Sequence, residues 1–229
     1  MLQKIELYHF VPSSKQSDFE GPVIQEVMPL VDMNPTRGGQ VLGQALLKHA
    51  DGRFIWAIAH EEIGGGSWYK SNISRAFEKL ALVASIYATS MHSVITRASA
   101  RDDLSVLPVG NSGSKVRIYE IKPQMSGFSD SFEHDVVEQV LPAVNLHPAN
   151  RIGHSTDGLM FLKNDDYTIT TEGTEAYLWL VSHTVFEQFE DRDNFPEDIR
   201  PALEKLRSVG EIYGFNDYQV LKQILVPRD

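Results

Sequence analysis

The chain has 229 residues, 42% hydrophobic and 23% charged, with no cysteine and a net charge of −10. It is large enough to bury a full core as one domain or two half-size ones, and its composition is that of a soluble globular protein. The missing cysteines exclude disulfides and thiolate chemistry, the acidic balance lacks the basic footprint nucleic acid requires, and no apolar run is long enough to span a bilayer.

The opening stretch, residues 5–11, alternates like a strand and ends at Pro12; residues 116–122 do the same before Pro123 when Tyr8 is set on Tyr119. Met1 leads straight into this strand rather than into a signal peptide, so the expected location is cytoplasmic. Helices are expected at 18–31 and 131–144, each interrupted near its end by a proline, Pro29 or Pro142, 113 residues apart.

Strands at 39–48 and 53–60 flank Asp51-Gly52, a strong hairpin signal, and their counterparts are 152–163 and 176–184. Here the repetition is clearest. Phe54, Trp56 and His60 recur as Tyr177, Trp179 and His183, all 123 residues on. Apolar spacing then predicts helices at 71–88 and 196–213, counting Val83, Ile86 and Tyr87 on the first and Val209, Ile212 and Tyr213 on the second. Closing strands are expected at 91–96 and 218–226.

A unit duplicated at near half the chain length is a structural repeat. The order strand, helix, strand, strand, helix, strand predicts an α+β protein of two fused ferredoxin-like (βαββαβ) repeats, 1–103 and 115–229, joined by a Gly/Ser/Asp-rich linker at 104–114. Two such sheets can cover each other within one chain.

This layout resembles the dimeric α+β barrel superfamily, which includes antibiotic-biosynthesis monooxygenases, stress-responsive barrel proteins, NIPSNAP-like proteins and the chlorite dismutases. The run from Ile118 to Pro123, followed by the strand of Tyr177 and Trp179, is similar to the opening and tryptophan strand of NIPSNAP-like domains. The resemblance implies a tryptophan overlooking a substrate cavity between sheet and helices. The implied activity is a cofactor-independent or flavin-assisted monooxygenase for a bulky aromatic or polyketide-like substrate. Alternatives are a cyclase or proton-transfer enzyme, a ligand-binding or stress-response barrel protein, and a haem protein whose axial histidine comes from the second repeat.

Period-2 alternation puts Phe54, Trp56, Ile58 and His60 on one face and Ile55, Ala57 and Ala59 on the other. The candidate base is His60 or His9, because imidazole titrates near neutrality. His9 occupies the opposite face of its strand from Tyr8 and Phe10. Tyr69 is the candidate hydrogen-bond donor, and Phe54, Trp56, Trp68, Tyr177, Trp179 and His183 are the candidate ligand-lining residues. Gly64, Gly65 and Gly66 precede Trp68 and Tyr69 and read as a lid. No metal site is expected, since His60-Glu61-Glu62 lacks a second histidine at i+4. His49, His92 and His134 read as exposed. The expected partner is a small aromatic or apolar ligand; nucleic acid and membrane are not expected, and a homodimer through another surface stays open.

Overall fold

The computed structural model describes residues 2–13, 19–62, 67–100, 107, 109–110, 112–124, 129–146, 156–165, 176–183 and 198–226. The strands are β1 (Leu2–Pro12), β2 (Gly39–His49), β3 (Phe54–Glu62), β4 (Ala84–Ser99), β5 (Lys115–Pro123), β6 (Thr156–Asn164), β7 (Tyr177–His183) and β8 (Gly210–Leu225). They form a closed antiparallel barrel in the order β1-β3-β2-β8-β5-β7-β6-β4. Helix α1 (Glu20–Pro22) continues through a π turn, Val23–Val27, and a 3-10 turn, Met28–Leu30. Helix α2 is Ser67–Leu80; α3 (Ser129–Asp135) continues through Val136–Val140 and Leu141–Ala143; α4 is Arg200–Val209. Among the described residues no helix is long and apolar enough to cross a membrane.

Each half runs in the same strand order, β4-β1-β3-β2 and β8-β5-β7-β6. Local irregularities recur at matching places. The pairing of β1 slips at His9/Phe10 and that of β5 at Glu120/Ile121; β2 bulges between Val41 and Gly43 and β6 between Thr156 and Gly158. Pro29 has no N–H and would clash with the carbonyl four residues back. The backbone answers by widening first, Met28 N–H reaching Val23 O, and then tightening into a 3-10 turn that ends at Leu30. Pro142 produces the same sequence, with Leu141 N–H on Val136 O. Both first helices are clamped to the sheet by one ion pair, Glu20 to Lys48 and Glu133 to Lys163.

The second helices are shorter than apolar spacing predicts. Val83 lies in a turn and Ile86 and Tyr87 in β4, while Ile212 and Tyr213 lie in β8. The spacing of Leu80, Val83 and Ile86 fits a helix stripe, but β-branched residues and pairing with β1 or β5 take over from Ala84 and Gly210. The closing strands therefore have 16 residues each, much longer than expected. At the β2–β3 hairpin Gly52 adopts φ +89, the left-handed turn position anticipated from Asp51-Gly52.

Three apolar clusters follow from strand alternation. Ile5, Leu7, Ile55, Ala57, Met160 and Leu180 fill the barrel interior with their neighbours from both halves. Opposite faces of the same strands carry Trp56 and Trp179 outward, under α1/α2 and α3/α4 respectively. The stretch read as a linker does more than connect. Leu107 and Val109 are fully buried in the barrel interior, and the Leu107 carbonyl accepts the Gln223 side-chain amide. Leu107→Ala is expected to cost about 2–4 kcal/mol in urea denaturation, the range for emptying a packed core site; a surface linker would show almost no change.

Candidate functional site

The family resemblance implies a cavity between sheet and helices beside Trp56 or Trp179. On β3, Phe54, Trp56 and Ile58 join the outer cluster, and His60 lies on the same face by alternation. Trp56 is fully buried: Phe77 of α2 stacks on it at 5.5 Å, and Tyr8 packs edge-on to Phe77 at 4.4 Å. Its indole N–H donates to Gln44 Oε1 at 3.0 Å. Gln44, itself buried, donates from Nε2 to the Met28 carbonyl at 2.9 Å and touches Met33 Sδ at 3.9 Å.

Beyond Gln44 lies an open groove of about 880 Å³. Its first wall is residues 29–34, where α1 ends; its second is Ser71, Asn72 and Arg75 on α2. Ile224, Leu225 and Val226 complete it from the end of β8, so the groove sits on the seam where β8 joins β2. Reciprocal hydrogen bonds fix the two walls together: Asp32 N–H donates to the Asn72 carbonyl at 2.9 Å and Asn72 Nδ2 to the Asp32 carbonyl at 3.0 Å. The lining combines an apolar strand end with amide, carboxylate and guanidinium groups, the mixture typical of small-molecule sites.

Among the described residues, none of those nominated from sequence lines this groove. Trp56 reaches it only through Gln44 and Met33. His9 faces the barrel-interior side, opposite Ile55 on β3, so His9 and His60 occupy opposite faces of one sheet and cannot serve a common substrate. Burial and then Arg53 lower the His9 pKa. His60 is buried across from Lys4 and Val41, and burial, reinforced by the Lys4 ammonium, pushes its imidazole down to about 4. It is therefore neutral near pH 7. His92, expected at the surface, is buried, because β4 begins seven residues earlier than predicted and carries it into the sheet opposite Ile5. The side chains of Trp68 and Tyr69 and residues 63–66 lie outside the described residues.

In the second half Tyr177, Trp179 and His183 hold the matching register, Trp179 opposite Tyr119 as Trp56 is opposite Tyr8, and His183 opposite Lys115 as His60 is opposite Lys4. Tyr177 stacks on Phe161 at 5.3 Å and donates its hydroxyl to Glu133 at 2.8 Å. His183 Nδ1 lies 3.3 Å from Thr156 Oγ1. Two positions differ in consequence. Leu159 stands where the first half has Gln44, and the buried Trp179 indole N–H has no hydrogen-bond partner among the described residues. Arg117, at the place of Glu6, is buried and forms a bidentate pair with Asp217 at 2.6 and 2.7 Å while lying over the Phe215 ring.

Sequence reasoning missed Gln44, Asn72 and Arg75. The signal available for them was the contrast between the halves, where the equivalent residues are Leu159, Asp198 and Pro201.

No family model matches the chain, and no curated protein matches it in sequence. Solved structures do. A candidate monooxygenase from Fusobacterium nucleatum superposes with a TM-score of 0.62 at 10% identity, covering 98% of this chain and 94% of that one. A candidate monooxygenase from Lactobacillus acidophilus gives 0.57 at 9% identity, covering 99% of this chain and 100% of its own. An anthrone oxidase-like protein gives 0.56 at 12% identity, with 99% and 94% covered. The fold is thus that of the dimeric α+β barrel proteins, here an α+β chain with an eight-stranded antiparallel sheet. At these identities the likeness speaks for architecture alone.

Two expected outcomes test the site's framework. Gln44→Leu leaves the buried Trp56 N–H without its partner and strips the Met28 carbonyl of one of its two hydrogen bonds, the other coming from Val31 N–H, and is expected to lower stability by about 2 kcal/mol in urea denaturation. For His60 the folded pKa of about 4 lies below the ordinary 6.5, so the unfolded chain binds the proton more readily. Its contribution is complete above about pH 6.5 and is lost as the pH falls toward 4, by about 3 kcal/mol in all. His60→Gln should flatten that part of a stability profile measured by denaturation at successive pH values.

Proposed function

We propose that the chain is a duplicated pair of ferredoxin-like units acting as a small-molecule monooxygenase, with a bulky aromatic or polyketide-like substrate held in the seam groove. The groove itself carries this reading. It offers volume for a polycyclic ligand, an apolar strand end for ring contact and fixed polar groups to orient it, in the fold shared with the candidate monooxygenases and the anthrone oxidase-like protein. The recurrence of strand order, bulges and π turns supports the duplication.

The chemistry suited to such a site is oxidation of an electron-rich carbon acid. For anthrone, C14H10O, loss of a methylene proton gives a stabilised anion. That anion passes electrons to O2 and forms a hydroperoxide at the same carbon; loss of water leaves anthraquinone, C14H8O2. One O2 is consumed and one H2O released. The protein's part is to bind the rings, orient the acidic carbon and keep bulk water away from the anion. A supplied reduced flavin extends the same scheme to substrates too poor in electrons to reduce O2 themselves.

Oxygen uptake with anthrone as probe tests the reading. The expected result is turnover by the purified protein that falls at least about tenfold in Ile224→Trp, which fills the groove with an indole. Turnover indifferent to Ile224→Trp would reject the groove as the substrate site. A Soret band in the freshly purified protein, with no uptake on anthrone, would replace the oxygenase reading by a haem protein.

A further inference from the structure

We infer that the seam groove takes an aromatic or polyketide-like acid, its carboxylate held by Arg75 and its rings laid against Leu30 and Ile224. This rests on the groove being the substrate site. Arg75 stands on the α2 wall one turn beyond Asn72, so both side chains face the same way. Its guanidinium makes no hydrogen bond or ion pair among the described residues. By contrast, Lys4, Lys48, Arg53, Lys79, Arg117 and Lys163 are each ion-paired. Lys79, one turn further along α2, takes Glu26 at 2.6 Å.

The nearest carboxylate on the opposite wall, Asp32, is turned to its own loop. Its Oδ1 accepts the Asn34 backbone N–H at 3.0 Å and the Asn34 side-chain amide at 2.8 Å. Arg75 is left as an open cation above an apolar strand end. A planar guanidinium fork suits a carboxylate better than a point charge would. Leu30, 38% exposed, and the half-buried Ile224 provide ring-sized apolar surface beside it.

The other half of the chain acts as an internal control. The wall-to-wall hydrogen bond is kept there, Asn145 N–H to the Asp198 carbonyl at 3.0 Å, matching Asp32 to Asn72. The cation is not kept, since Pro201 stands in the place of Arg75 and Asp198 in that of Asn72. A frame present twice with a guanidinium present once separates the ligand-directed residue from the structural ones.

Calorimetric titration with 2-naphthoate and its neutral isostere 2-naphthamide tests this on the full chain, in the unaltered protein and in Arg75→Gln, Arg75→Lys and Ile224→Trp. The acid is expected to bind about tenfold more tightly than the amide. Arg75→Gln should erase that preference without weakening the amide, and Arg75→Lys should keep part of it. Added salt should narrow the gap, because the pair is partly open to solvent. Arg75 is exposed, so an unchanged thermal midpoint will show that its variants fold. Equal binding of acid and amide, or a preference that survives Arg75→Gln, overturns the carboxylate subsite while sensitivity to Ile224→Trp keeps the groove reading. Failure of both probes to bind any form overturns the two together.

Discussion

Closure of the barrel depends on two long strands that each serve both halves. β4 pairs with β1 from Lys4 to Pro12 and with β6 along its own second half; β8 pairs with β5 and then with β2 in the same manner. Without those crossings each four-stranded sheet would expose two edges and one apolar face. With them, β2 and β6 lose their open edges and the inner faces share one core. The bulges that skip Ile95 in β4 and Leu221 in β8 occur where each strand enters the other half, bending it around the barrel.

That constraint positions the groove. Ile224, Leu225 and Val226 reach the first helical layer only because β8 runs along β2, so the site combines material from both ends of the described chain. Gln44 then joins three parts of the frame: the indole of β3, the last turn of α1 and the methionine that edges the groove. The buried amide gives the tryptophan a fixed orientation through hydrogen bonds rather than through packing alone. Its counterpart Leu159 gives packing without that constraint.

Much of the architecture could be read from residues alone, because rare types recurred in register. Trp56 and Trp179, His60 and His183, and Pro29 and Pro142 fixed the alignment, and alternation on β3 put the aromatics and the small alanines on their observed faces. Helix ends were less legible, since Leu80, Val83 and Ile86 satisfy a helical stripe, and only cross-strand pairing reveals where the helix stops. The site was harder still. Period-2 reasoning separated Trp56 from Ile55 and Ala57, and the family resemblance implied that it looks toward the helices, yet Phe77 and Tyr8 fill the space over it. The opening lies one strand further along, assembled from segments near positions 30, 72 and 225 that no local pattern connects. Buried Leu107 and Val109 were likewise hidden in a stretch whose composition is that of a connector.

The order of the strands has a consequence for synthesis. β2 appears early on the ribosome, while its neighbour β8 is made after every other strand described. For most of translation the growing chain therefore presents a paired β4–β1–β3–β2 sheet whose β2 edge is bare and whose one apolar side is uncovered. Gln40 and Lys48 near the ends of β2, with the bulge at Val41/Gly43, are the features that blunt this edge against other nascent chains during the wait.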